Sequence, residues 1–173
     1  MQCYSHHKLS CTYCKKLQIA FLHQLHTQQH SLQILLYLFL TRHYDKIDIV
    51  FIRHHTQATE VGEQEFFHST ERGGTVVSSA LVLLDEIART RYPAGDWNIY
   101  VAQASDGDNF SNDSANCRTL LADKILPLVR YFAYVQVAQD EQNLWEEYSQ
   151  LPPLFPHFAM RKVLAASEIY PVF

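Results

Sequence analysis

Three runs of strand length, residues 47–52, 97–104 and 131–137, are dominated by β-branched, aromatic and other apolar side chains, with Asp48 the only charge among them. A strand with one face in water alternates polar and apolar residues, whereas a near-continuous apolar run belongs to a strand covered on both faces of a parallel sheet. Between the first two runs lies the clearest amphipathic helix, residues 76–91. Val77, Ala80, Leu81, Leu84, Ile87 and Ala88 share one stripe of it, and Glu86 and Arg89 point away. Buried strands alternating with helices predict an α/β chain with a three-layer, doubly wound, mostly parallel sheet.

The smaller elements fit that plan. Leu32, Leu35, Leu36, Phe39 and Leu40 recur at helical spacing behind Ser31, a suitable cap, which predicts a largely buried helix over 32–41. Residues 59–61 read as a short edge segment and 63–69 as a short helix. Tyr92-Pro93-Ala94-Gly95 stops the long helix. Helices are expected over 116–126 and 141–149, an irregular connection at Pro152, Pro153 and Pro156, and a last strand over 158–164.

At 173 residues with 47% hydrophobic content, the chain is the size of one domain with a sizeable core. The net charge of -4 and scattered basic residues give no electrostatic footprint for nucleic acid or an anionic membrane. The longest apolar run, 34–40, is about a third of the roughly 20 residues a membrane span needs, and residues 1–10 hold no secretory apolar core. A cytoplasmic location is therefore expected. Four cysteines, Cys3, Cys11, Cys14 and Cys117, are too few and too unevenly placed for a disulfide scaffold, and Cys117 is expected simply to pack near a helix start.

Candidate chemistry centres on Ala104-Ser105-Asp106-Gly107-Asp108-Asn109, an acidic loop, expected over 105–114, at the carboxyl end of a buried strand. Open α/β sheets bind ligands at that end. Upstream, Gly73-Gly74-Thr75 precedes the amphipathic helix, so the Thr75 hydroxyl and the Asp106 carboxylate are candidate ligands of one magnesium or manganese ion, which prefer oxygen donors. One hydroxyl and one carboxylate leave most coordination positions to water, so binding is expected to be weak or absent. As plain structure, Thr75 is a helix cap and Asp106 and Asp108 are turn residues.

From about residue 31 to 173 the chain resembles the carboxyl-terminal part of the YeaH/YhbH family of bacterial cytoplasmic proteins with a von Willebrand factor A-like domain. The resemblance is carried by Leu35-Leu36-Tyr37-Leu38-Phe39-Leu40, Ile52-Arg53-His54-His55-Thr56, Gly73-Gly74-Thr75, Trp97-Asn98-Ile99-Tyr100, Ala102-Gln103-Ala104-Ser105-Asp106-Gly107-Asp108-Asn109 and Ile169-Tyr170-Pro171-Val172-Phe173. It implies a metal-ion-dependent adhesion site, of which Thr75 and Asp106 are the remnant here. It also implies a stress or starvation role beside a PrkA-type serine kinase and a SpoVR-like protein. The family's principal metal loop, Asp-x-Ser-x-Ser on the first strand, is absent. Residues 1–30 differ from the family, as if the reading frame began late or had shifted, and are expected to form an atypical, poorly ordered leader. Residues 31–173 are then a truncated domain lacking its first strand.

Within the leader, Cys11-x-x-Cys14 and His26-x-x-x-His30 approach a two-Cys two-His zinc pattern, with 11 intervening residues where about 12 are usual. No hairpin signal accompanies them, and residues 17–25 would have to supply the finger's core, so the segment is read as leader rather than zinc site. Ser78 and Ser79 sit inside a helix without a nucleophile elbow. The expected function is a non-enzymatic protein-interaction module. The alternatives are a metal-dependent hydrolase or phosphotransferase using Asp106 and Asp108 with His54 or His55 as base, or a non-functional fragment of a mis-started or frame-shifted gene.

Overall fold

The computed structural model describes residues 16–23, 47–54, 56–68 and 76–164. Six strands form one sheet: β1 (Lys16–His23), β2 (Ile47–His54), β3 (Ala58–Val61), β4 (Trp97–Ser105), β5 (Tyr131–Gln136) and β6 (Phe158–Lys162). Their spatial order is β3-β2-β1-β4-β5-β6, and every neighbouring pair is parallel except β2 with the edge strand β3. The helices are α1 (Glu63–His68), α2 (Val77–Arg91), α3 (Ser111–Leu120), which runs on into a π turn at Leu121–Ile125, and α4 (Asn143–Tyr148). The expected doubly wound class is what the chain adopts.

The expectation that the sheet lacks its first strand is corrected. β1 lies at its centre, with Ala20 fully buried and in register with Val50 on one side and Val101 on the other. Residues 17–22, Leu-Gln-Ile-Ala-Phe-Leu, hold a single polar side chain, which suits a strand enclosed on both faces. Left empty, that slot would expose a row of unpaired backbone groups on both β2 and β4. The Cys and His residues that flank this run give residues 1–30 the composition of a leader and mask the strand. Cys11, Cys14, His26 and His30 lie outside the described residues, as does the helix expected over 32–41.

On one face of the sheet, α2, α3, the π turn and α4 enclose the main core, built on Ile52, Leu84, Ile99, Leu121, Phe132, Tyr134 and Tyr148. The stripe read from the sequence, Val77, Ala80, Leu81, Leu84, Ile87 and Ala88, is the buried stripe of α2. Each large apolar side chain so enclosed contributes roughly 1.5–3 kcal/mol. On the opposite face α1 packs Phe66 and Phe67 against Phe51 of β2, with ring centroids 4.8 and 5.6 Å from it. Helices on both faces complete the three layers.

Helix α2 ends where Tyr92 donates its backbone N–H to Ala88 and Pro93 follows; the Tyr92 ring meets Trp97 edge to face at 4.9 Å and starts β4. Helix α3 begins five residues earlier than expected, at Ser111 rather than 116. Its first turn, Ser-Asn-Asp-Ser, has turn composition and no apolar periodicity. The Phe110 carbonyl nevertheless accepts from the N–H groups of Asp113 and Ser114 and starts the helix.

Candidate functional site

Strand β4 carries the chain up to Ser105, and the acidic loop spans only residues 106–110. Two sets of hydrogen bonds hold it. Ser105 is fully buried, its Oγ accepting from the Gly107 N–H at 2.9 Å and lying 3.4 Å from the Tyr134 hydroxyl. Asp106 Oδ1 accepts from the Asp108 N–H at 3.1 Å, an Asx turn. Gly107 has φ +88°, and a Cβ there would lie 2.3 Å from Gln136 Oε1, so both backbone and space demand glycine. Gln136 cannot retreat easily: it is fully buried, accepts from the Tyr134 hydroxyl and donates to the Asp140 carbonyl at 2.7 Å. The loop between β5 and α4 closes the other side, where Asn143 Nδ2 donates to the Asn109 carbonyl.

The second set joins this loop to the start of α2. Asn109 is 4% exposed and bonded in four directions. Its Oδ1 accepts from the Val77 N–H at 3.3 Å, and its Nδ2 donates to Asp113 Oδ2 and Ser114 Oγ, both at 3.1 Å, and reaches Cys117 Sγ at 3.8 Å. Asp113 Oδ2 also accepts from the Ser78 N–H at 3.0 Å and the Cys117 thiol at 3.4 Å. Burial pushes the Asp113 pKa up, but hydrogen bonds from Ser78, Asn109 and Cys117 outweigh it and hold the carboxyl below its ordinary value. The same burial and the neighbouring carboxylate push the Cys117 thiol far up, so it is inert as a nucleophile. Helix α2 has no capping side chain of its own. Asn109 and Asp113 take that part from across the fold, a carboxylate at a helix amino terminus being favourable.

Of the predicted ligands, Asp106 stands at the carboxyl end of β4, half-buried, its carboxylate closing the Asx turn. Thr75 lies outside the described residues; two residues on, the Val77 N–H is bonded to Asn109 of the acidic loop, and the Ser78 N–H to Asp113 of α3. Asp108 is exposed. Among the described residues no three His, Cys, Asp or Glu side chains converge as a metal site. His54 ends β2 and is buried, and His55 lies outside the described residues. Sequence reading missed Asn109, Asp113 and Cys117 as a unit. Their i, i+4, i+8 spacing fits one helix face, a signal that the turn composition of residues 105–114 masks.

No helix among the described residues is long and apolar enough to cross a membrane. Solved structures that share the fold include the following two. One is an aerotolerance-related membrane protein from Bacteroides fragilis, with TM-score 0.54 and 10% identity over 92% of this chain and 96% of that one. The other is the ArnB paralog VWA2 from Sulfolobus acidocaldarius, with TM-score 0.53 and 12% identity over 90% of this chain and 43% of that one. The fold is von Willebrand factor A-like. Among curated sequences, the UPF0229 protein VP0986 of Vibrio parahaemolyticus is 57% identical, and the UPF0229 proteins of Thiobacillus denitrificans and Legionella pneumophila (strain Corby) are 60% and 58% identical, each over 81% of this chain. The chain spans about a third of these relatives' length, 33–34%. A family model described as protein of unknown function (DUF444) matches residues 27–173, and the chain belongs to that family.

Proposed function

We propose that this chain is a non-enzymatic protein-interaction module that engages its partner through the loops at the carboxyl ends of β4 and β5. The observation that carries this reading is the interlock between the acidic loop and the start of α2, in which Asn109 and Asp113 bind the Val77 and Ser78 N–H groups. It draws two chain segments far apart in sequence into one fixed surface at the ligand-binding end of the sheet. The remnant adhesion site in this reading is the Asp106 carboxylate with the Thr75 hydroxyl, and magnesium or manganese binds there weakly. The proposed setting is cytoplasmic stress or starvation signalling, with a PrkA-type kinase and a SpoVR-like protein as partners.

The test is a pull-down of the purified kinase and SpoVR-like protein by the tagged chain, with Asp106→Ala as control. Retention by the unaltered chain and its loss in the variant support the reading; failure to retain either protein, or equal retention by the variant, overturns it. Titration calorimetry with manganese checks the metal separately. A stoichiometric site of micromolar affinity would overturn the weak-binding part.

A further inference from the structure

We infer that the free edge of β6 receives an extended segment of a protein partner, added to the sheet as a further strand in which apolar and acidic side chains alternate. This surface runs along the side of the sheet rather than across the loops at its carboxyl end.

Among the described residues β6 pairs with β5 alone and closes the sheet on that side. The His157 carbonyl accepts from the Phe132 N–H, and the Val163 N–H donates to the Gln136 carbonyl. In a parallel ladder successive residues turn their N–H and C=O groups to opposite sides, so His157, Ala159, Arg161 and Val163 address β5. Met160 and Lys162 present theirs outward, at the spacing an incoming strand requires.

The two faces of this edge differ. Met160 turns to the main core, where it, Trp145 and Phe155 are only partly buried and form an apolar shelf beside the strand. Lys162 lies 4.9 Å over the Trp145 ring and is bonded to Glu141 at 2.9 Å, so its charge is met within the chain. Ala159 and Arg161 stand on the other face. Arg161 is exposed and takes no part in the ion pairs formed among the described residues. An added strand therefore meets the apolar shelf with one set of alternate side chains and a guanidinium with the other, which selects apolar residues in the first set and a carboxylate in the second.

A second copy of the chain is a poorer occupant. Antiparallel pairing of two β6 edges through all the outward groups of Met160 and Lys162 centres on Arg161, so the two guanidiniums face each other directly. A charge so placed is one way edge strands avoid self-association. A carboxylate opposite Arg161 turns the same side chain into a selective contact.

The experiment is fluorescence anisotropy on the full chain with three short labelled peptides: one of alternating valine and glutamate, the same peptide N-methylated at its valines, and one with lysine for every glutamate. The valine–glutamate peptide should bind, and the other two should bind at least about tenfold more weakly, the first for want of backbone donors and the second through charge. Arg161→Glu should exchange the preference, weakening the glutamate peptide about tenfold and favouring the lysine peptide. Met160→Pro removes an N–H that bonds nothing in β5, so the melting temperature should hold nearly unchanged while the glutamate peptide weakens about tenfold. No binding of the valine–glutamate peptide, equal binding of its N-methylated form, or an unaltered preference in Arg161→Glu overturns the inference. A dimer in sedimentation that the peptide dissociates would seat a second copy on the edge and equally overturn it.

Discussion

Replacing Asn109 by alanine tests whether the loop interlock holds the fold together. The side chain is 4% exposed and makes one charge-assisted hydrogen bond to Asp113 and two neutral ones to Val77 and Ser114. A bond to a charged group is worth about 1.5–3 kcal/mol and a neutral one about 1, and the buried Val77 N–H is left without its acceptor. The expected loss is about 3–5 kcal/mol, a large share of the roughly 5–15 kcal/mol that holds a domain folded. Urea unfolding followed by circular dichroism at pH 7 measures it. Because Asn109 and Asp113 share one network, Asn109→Ala and Asp113→Asn should be non-additive in a double-mutant cycle. The acid limb gives an independent check. The folded Asp113 pKa lies below its ordinary value, so its contribution is present above about pH 4 and is lost as pH falls through the folded value. Asp113→Asn should reduce that acid loss. An Asn109→Ala chain within about 1 kcal/mol of the original, with additive behaviour in the cycle, would refute the reasoning.

Gly107→Ala should destabilise by about 2–4 kcal/mol, because φ +88° strains an L residue and its Cβ would meet the enclosed Gln136 amide; a melting temperature within a degree of the original would contradict this. Tyr148 is fully buried and its hydroxyl donates to Gln103 Oε1 at 3.3 Å, while Gln103 Nε2 has no partner among the described residues. Tyr148→Phe alone should therefore cost about 1–2 kcal/mol, and Tyr148→Phe with Gln103→Leu should recover most of it; chemical denaturation of the pair against the single variant decides. Burial and the hydrogen bond to Asp48 raise the Tyr92 pKa to about 12. A folded value above the unfolded 10 means its stabilisation is full below pH 10 and is lost as pH rises toward 12. Tyr92→Phe should remove that alkaline component from the unfolding profile, and an identical alkaline limb in both chains would refute the assignment.

The parts of the fold legible in the sequence are those where one physical effect dominates. The apolar runs behind β2, β4 and β5 and the stripe of α2 had to be buried in any compact arrangement, and periodicity alone locates them. Strand β1 is hidden because residues 1–30, rich in Cys, His and Gln and unlike the family, read as a leader, which masks the apolar run 17–22 within them. Its place between β2 and β4 is decided by non-local pairing, which no local pattern records. At the site, Asp106 was legible as the carboxylate at a strand's carboxyl end. The work of Asn109 and Asp113 was not, because their partners Val77 and Ser78 lie 32 and 35 residues away.

That long-range capping bears on how the proposed recognition surface would be held in place. A divalent cation shared by two loops acts as a crosslink, holding oxygen donors from separate segments at fixed spacing. In this chain the Asn109 amide and the Asp113 carboxylate already join the acidic loop and α3 to the backbone N–H groups that open α2, and Asn143 and Gln136 tie in the loop after β5. These loops are therefore held together without an ion, and a partner of the kind proposed would meet them without the entropic cost of arranging them. What a cation would add at Asp106 is local positive charge. Manganese should leave the melting temperature nearly unchanged. A large thermal stabilisation by manganese would instead show that the ion, and not the Asn109 network, holds the loops together.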